Sequence, residues 1–319
     1  MSAIIITPDS YDTVRRLVAH LRSQTARHEL ELVLVLPSGA AFEPDEHLLE
    51  EFAAVQVVRT VAIDSTARAR AAGIRAATSP VVVLTEDHSL PEPDWAQALI
   101  GAHRKDWAVA GPAVINGNPR SLLSWANLLI EYGEWLDPAP GGETSHVPGH
   151  NSAYKRDVLL SYGESLDSWL EAESLLHWDL RARGYRLCIE RSARTRHLNF
   201  SKFFASLALR FDAGHLFAGM RGTRWGVWRR LFYAAGSPLI PLVRLFRMLA
   251  ELRQPGRPAY LIPRILPCVL ILLGVDALGE MVGYLLGPGD SARHVTRIDF
   301  HRERFMNRRD REQSAGVEP

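Results

Sequence analysis

The sequence predicts an α/β fold, a nucleotide-binding type of sheet followed by a helical region of different chemistry. Three observations carry this expectation. Short β-branched apolar runs alternate with helical patterns through the first hundred residues. One of these runs, Val81-Val82-Val83-Leu84, stops abruptly at Thr85-Glu86-Asp87-His88, and Pro91 and Pro93 then force a loop. The charge balance swings from acidic to strongly basic near residue 190, although the net charge is only +1.

The elements follow in order. Ala3 to Ile6 is a first strand, Thr7-Pro8-Asp9-Ser10 a turn, and Tyr11 to Gln24 a helix with Val14, Leu17, Val18 and Leu21 on one face. Glu31 to Leu36 is a second strand and Val55 to Val61 a third. An Ala/Arg-rich helix covers about 66 to 77, and the Val81 strand completes a β-α-β-α-β-α-β series. Such alternation predicts a parallel sheet with right-handed crossovers. Asp94 to His103 is a further helix, and Trp107 to Ala110 a strand stopped by Gly111-Pro112, with Ala113 to Ile115 as its extension beyond the break. Residues 137–150, rich in Pro and Gly, are expected as a mobile loop over a site. Arg156 to Ser161 and Ser174 to Arg183 are helices, the second stopped by Gly184, and Tyr185 to Ile189 is a strand.

At 319 residues the chain is longer than an average domain. The expected organisation is an α/β domain over 1–197, a basic and aromatic helical region over 198–289, and a polar, partly disordered tail over 290–319. Two distant cysteines, Cys188 and Cys268, describe neither a disulfide framework nor a zinc site. The chain starts directly on an apolar strand, so no signal peptide is expected. Residues 1–190 carry 16 Lys/Arg against 26 Asp/Glu, whereas residues 191–264 carry 14 against 2. That basic block interleaves Phe, Trp and Leu with arginine, which suits an anionic surface. Its content of Leu, Phe and Ile exceeds what a base-stacking platform needs, so a membrane is expected rather than nucleic acid, with ordinary core helices as the plainer reading. The apolar run Ile265 to Val275 is 11 residues long, short of the roughly 20 that cross a bilayer. Asp276 and Glu280 then sit on one helical face. A re-entrant, interfacial or protein-packed helix is expected there.

The Glu86-Asp87-His88 strand end is where an open α/β sheet binds ligands; the bland alternative is a helix N-terminus dressed in acids. Four segments, in order, resemble the family 2 glycosyltransferases of the GT-A fold (a Rossmann-like nucleotide-diphospho-sugar transferase fold). Arg68-Ala69-Arg70-Ala71-Ala72-Gly73 resembles the family's Ala-Arg-Asn-x-Gly helix, with Arg70 at the arginine position. Leu84-Thr85-Glu86-Asp87-His88 stands at the Asp-x-Asp metal motif. Pro148-Gly149-His150-Asn151-Ser152-Ala153-Tyr154-Lys155-Arg156 is similar to the acceptor-side segment. Glu171-Ala172-Glu173, with Leu176 to Tyr185, resembles the helix that carries the catalytic base.

The resemblance implies an inverting glycosyltransferase that moves a sugar from a nucleotide-diphosphate donor, a UDP-sugar first among them, to a lipid-linked or glycan acceptor. It would act on the cytoplasmic side of the cell membrane as a peripheral or monotopic protein. Glu173 is implied as the general base, with Glu171 in reserve. Thr7, Asp9, Arg70, Glu86 and Asp87 are placed on the donor side, and His150 and Asn151 on the acceptor side; for Asn151 a helix N-cap or turn role is the alternative. Asp87, His88 and His197 are implied as ligands of a divalent cation, Mn or Mg, and an imidazole leans towards Mn. Three positions depart from the family pattern. His88 replaces the terminal aspartate, Ala172 interrupts the Glu-Asp pair, and Pro37-Ser38 stands where relatives carry acids. They motivate a second reading, a catalytically silent nucleotide-sugar-binding protein on the same fold.

Overall fold

The computed structural model describes residues 1–315 and divides into two compact units. The first comprises Met1–Ile115 and Asp137–His197, and the second Asn116–Leu136 and the described residues from Leu198 onward.

In chain order the first unit contains β1 (Ser2–Ile6), α1 (Asp12–Arg22), β2 (Glu31–Pro37), α2 (Glu46–Leu49), β3 (Ala54–Thr60), α3 (Thr66–Ala76), β4 (Val81–Leu84), β5 (Ser89–Pro91), α4 (Trp95–Ala102) and β6 (Val109–Asn116). After α5 (Leu122–Tyr132), which belongs to the second unit, it resumes with β7 (Gly142–Thr144), β8 (Ala153–Lys155), α6 (Arg156–Leu160), α7 (Leu166–Leu170), α8 (Glu173–Ala182) and β9 (Leu187–His197). The sheet order is β3-β2-β1-β4-β8-β6-β9-β5, with β7 added on β9. Strands β3, β2, β1 and β4 are parallel, as their helical crossovers require.

The parallel arrangement expected for the first four strands ends at β4, and the sheet beyond it is mixed. There β8 pairs antiparallel with both β4 and β6, while β5 and β7 pair antiparallel with β9. These inserted strands are three residues each, too short to display a period of two. Nor does Gly111-Pro112 break its strand: β6 runs through both residues. A Cβ on Gly111 would lie 2.7 Å from that of Val147, so glycine there admits the 137–150 segment against the strand. That segment, expected as a mobile loop, is tied down by Val147 and by pairing of Gly142 with Ile189.

Continuous apolar strands make the core because helices cover both faces. Ile4, Ile5, Val33, Leu34, Val82 and Val83 are all fully buried. Gly73 lets α3 settle onto β1 and β2, since a Cβ there would meet Ile4 Cγ2 at 2.6 Å and Val35 Cγ2 at 3.0 Å. The Ser65 hydroxyl caps α3 by accepting from the Arg68 N–H, and at the other end Arg156 Nε donates to the Ile74 carbonyl at 2.9 Å.

The second unit is helical: α9 (Phe203–Gly222), α10 (Val227–Gly236), α11 (Ile240–Leu252), α12 (Ile262–Leu286), α13 (Ser291–Asp299) and α14 (Arg308–Ala315) join α5. Of the polar tail expected over 290–319, residues up to 315 carry helices and the remainder lies outside the described residues; α14 is anchored where the Asn118 and Asn307 amides donate to the buried Asp310 carboxylate. The short apolar run expected at 265–275 lies inside the 25-residue α12. With the turn before it, Ala259–Leu286 is the one stretch, among the described residues, long and apolar enough to cross a membrane by length and composition. Its two carboxylates are buried, and Arg244 of α11 donates to Asp276.

Helices α9 and α12 approach at backbone distance. A Cβ on Gly279 would overlap the Phe211 carbonyl, one on Gly283 the His215 carbonyl, and one on Gly214 the Asp276 carbonyl. Gly274 on the same helix faces open space. Gly279→Val should therefore cost about 1–3 kcal/mol in chemical denaturation, because the helices must separate. Gly274→Ala should be neutral or stabilise by about 0.5–1 kcal/mol through helix propensity.

Candidate functional site

The site grows from the C-terminal end of β4. After Leu84 the chain leaves the sheet for Glu86-Asp87-His88 and re-enters it as β5, whose Ser89 stands opposite His197 in the antiparallel register with β9. That pairing brings two histidines more than a hundred residues apart to a ring separation of 5.0 Å, edge to face. Glu86 Oε2 lies 3.6 Å from His88 Nε2 and 3.7 Å from His197 Nε2. All three residues are buried, and their three donor atoms lie within 4.8 Å of one another.

Glu86 is shared. Its other oxygen, Oε1, is 3.2 Å from His150 Nδ1, while Asn151 Nδ2 donates to Oε2 at 3.2 Å. Asn151 adopts a left-handed conformation, φ 62°, and its N–H donates to the Leu84 carbonyl at 2.5 Å. Asparagine tolerates that backbone better than most residues. Of the N-cap and turn roles open for Asn151, the structure has the turn, and it aims the amide at Glu86. Pairing of β8 with β4, Ala153 opposite Val83, delivers this turn to the strand end.

On the far side of His150 stands Glu173, the first residue of α8. Arg70, buried on α3, donates through Nη1 to Glu173 Oε1 at 2.8 Å, and its Nη2 lies 2.5 Å from His150 Nδ1. A Cβ on Gly149 would stand 2.7 Å from the Glu173 side chain, so only glycine lets the 148–152 segment pass so close. Burial alone would raise the Glu173 pKa. The adjacent His150 ring and the Arg70 guanidinium, with the N–H at the start of the helix, outweigh it and hold the carboxyl below the usual range. Glu171 is held differently. It accepts from the Ser65 hydroxyl at 2.6 Å, and burial raises its pKa, aided by the charge of Glu173.

The residues expected at the site are thus distributed as follows. Arg70, Glu86, His150, Asn151 and Glu173 form one connected group, and Glu86 joins it to His88 and His197. Asp87 is not in the convergent set; its Oδ1 bonds His88 Nδ1 at 2.6 Å and orients the ring from behind. Glu86, expected on the donor side and not among the ion's ligands, takes the carboxylate place instead. Asp9 accepts from the Ser10 N–H and the Thr13 hydroxyl, and the Thr7 hydroxyl donates to the Ser10 carbonyl, so both shape the turn into α1.

The donor chemistry fits a divalent cation. Separations of 3.6 and 3.7 Å are close to the roughly 3.0–3.4 Å between adjacent ligands of an ion with bonds near 2.1 Å. One carboxylate oxygen and two imidazoles suit a first-row transition ion better than Mg. The Asp87–His88 bond is the carboxylate–histidine support such ligands commonly have.

One pair went unassigned in the sequence. Tyr154 and His177 are both buried, stack at 6.0 Å, and share a 2.9 Å hydrogen bond between the phenol oxygen and Nε2. The signal available was spacing: His177 lies four residues after Glu173, on the same face of α8.

The sequence model of the family "Glycosyl transferase family 2" matches residues 2–163. No curated protein matches the sequence significantly. Among solved structures, the crystal structure of GalNAc-T7 with UDP, GalNAc and Mn2+ is 15% identical, over 62% of this chain and 43% of that one, with a TM-score of 0.43. The crystal structure of S. aureus TarS is 12% identical, over 88% and 54%, also with a TM-score of 0.43. The chain spans about half the length of these two structures.

Burial pushes the pKa of His177 down from 6.5 to about 4. Acidification protonates the unfolded chain first, so the stability contributed by neutral His177 is present above pH 6.5 and is lost as pH falls towards 4. Thermal unfolding across that window should lose on the order of 3 kcal/mol through this residue. His177→Gln should flatten that part of the profile.

Proposed function

The chain belongs to glycosyl transferase family 2, and from that premise we propose that it transfers a sugar, with inversion, from a nucleotide-diphosphate donor to an acceptor hydroxyl. The carrying observation is the connected group that runs from Glu173 through Arg70 and His150 to Glu86 and the two histidines. It offers a proton acceptor at one end and a cation-binding set at the other. UDP-sugars are the donors to test first. A lipid-linked or glycan acceptor on the cytoplasmic face of the cell membrane, with the protein peripheral or monotopic there, completes the reading.

Glu173 receives the proton that the acceptor hydroxyl releases as it attacks the anomeric carbon. Its depressed pKa keeps it ionised at neutral pH, and Arg70 fixes one of its oxygens. His150 and Asn151 orient Glu86, and Asp87 orients His88. A divalent cation held by Glu86, His88 and His197 would offset the negative charge that builds on the departing diphosphate. The burial of these residues excludes water and strengthens each electrostatic contact.

Glu173→Gln should lower transfer by about 10²–10⁴-fold while nucleotide binding and unfolding temperature are retained, measured with a panel of nucleotide sugars and release of free nucleotide. Nucleotide binding without turnover in the unaltered chain, on any donor, would favour the silent binding protein instead. Chelation should stop transfer and added Mn2+ restore it. Asp87→Asn should raise the Mn2+ concentration for half-activity by about 10–100-fold, because the ring of His88 loses its support.

A further inference from the structure

Helices α10 and α11 are amphipathic with the polarity reversed from that of a water-soluble surface. On α10, Val227, Trp228, Leu231 and Phe232 form one stripe at helical spacing, and all four are exposed, Trp228 by 82%. On α11, Leu242, Val243 and Phe246 repeat the pattern, with Phe246 69% exposed. Arginines of the same helices turn towards protein. Arg230 donates to the Tyr284 and Leu285 carbonyls, both at 2.7 Å, Arg244 donates to Asp276, and Arg229 lies 4.1 Å above the Trp225 ring. Leu270, Ile271, Leu278 and Leu285 put a third exposed apolar stripe along α12. An apolar surface of this extent calls for a partner.

Charge identifies the partner. Between Arg221 and Arg264 the chain carries nine arginines and one acid, Glu251. Arg224, Arg247, Arg253 and Arg264 are exposed beside the apolar stripes, where their stems can lie on the hydrocarbon boundary while the guanidiniums reach headgroups. At 10 and 13 residues, α10 and α11 are about 15 and 20 Å long, too short to cross the roughly 30 Å of hydrocarbon. Helix α12 is long enough, yet its opposite face is committed to α9 through Gly279 and Gly283. Helix α9 in turn carries α13, whose exposed Arg293, His294 and Arg297 no lipid would surround; His294 faces Asp212 of α9 at 3.4 Å.

We propose that α10 and α11 lie in the plane of an anionic lipid surface, with Trp228, Phe232 and Phe246 as the inserted side chains, and that α12 does not cross the bilayer. This deepens the membrane location given above and is independent of whether the first unit transfers sugar.

The test uses the full chain and sealed vesicles of phosphatidylcholine with or without phosphatidylglycerol. Sedimentation should show binding at least about tenfold tighter to the anionic vesicles and weakened by salt. The surface variant Trp228→Ser/Phe232→Ser/Phe246→Ser should lose most of that binding, and Arg224→Gln/Arg247→Gln should lose its dependence on anionic lipid. Fluorophores on cysteines introduced at Phe232, Phe246 and Leu278 should be quenched more by nitroxides near the headgroups than by nitroxides at the bilayer centre. Failure to bind either vesicle, self-association through this face instead, or stronger quenching of the Leu278 label from the bilayer centre would each overturn the proposal. Transfer from a nucleotide sugar to a detergent-soluble acceptor is read in parallel, so loss of the lipid result leaves the catalytic reading standing, and the reverse.

Discussion

A buried carboxylate is tolerated only where its lone pairs find partners, and at the site that constraint falls on Glu86. Its Oε1 faces His150, and its Oε2 faces Asn151, His88 and His197. The four partners arrive on three elements: His88 on the loop out of β4, His197 on the last residue of β9, and His150 and Asn151 together on the turn before β8. The antiparallel half of the sheet can be understood through this requirement. Pairing of β5 with β9 supplies His197, pairing of β4 with β8 supplies His150 and the Asn151 amide, and Arg70 extends the group to Glu173.

Local sequence revealed what depends on local pattern. The parallel strands carry continuous apolar runs and the helices between them a clear period, so β1 to β4 were legible within a residue or two. Strands β5, β7 and β8 were not, because three residues display no alternation and their existence depends on partners far along the chain. Pro112 misled for a related reason: a residue that breaks many strands is accommodated within β6. At the site, the residue types were legible and their division of labour was not. Glu86 and Asp87 are adjacent and chemically alike, so which of them turns to the two histidines is decided by the β5–β9 register, a long-range fact.

The second unit shows the same limit in another form. Its mixture of arginine and aromatic residues was plain in the sequence, but composition alone does not say which side faces out. The structure shows arginines spent on carbonyls and on Asp276 while Trp228, Phe232 and Phe246 stand exposed. Glycines at 214, 279 and 283 look unremarkable as letters and become legible only when α9 and α12 are seen to touch through their backbones.

We propose that Glu86, His88 and His197 form one cation site serving a nucleotide diphosphate. Pulsed electron paramagnetic resonance of Mn2+ added with UDP to the full chain tests it directly. Such a site should give nitrogen couplings from two imidazoles, one lost in His88→Ala and the other in His197→Ala, together with phosphorus coupling from the nucleotide. A spectrum of hydrated Mn2+ without nitrogen coupling, or one unchanged by both substitutions, would contradict it.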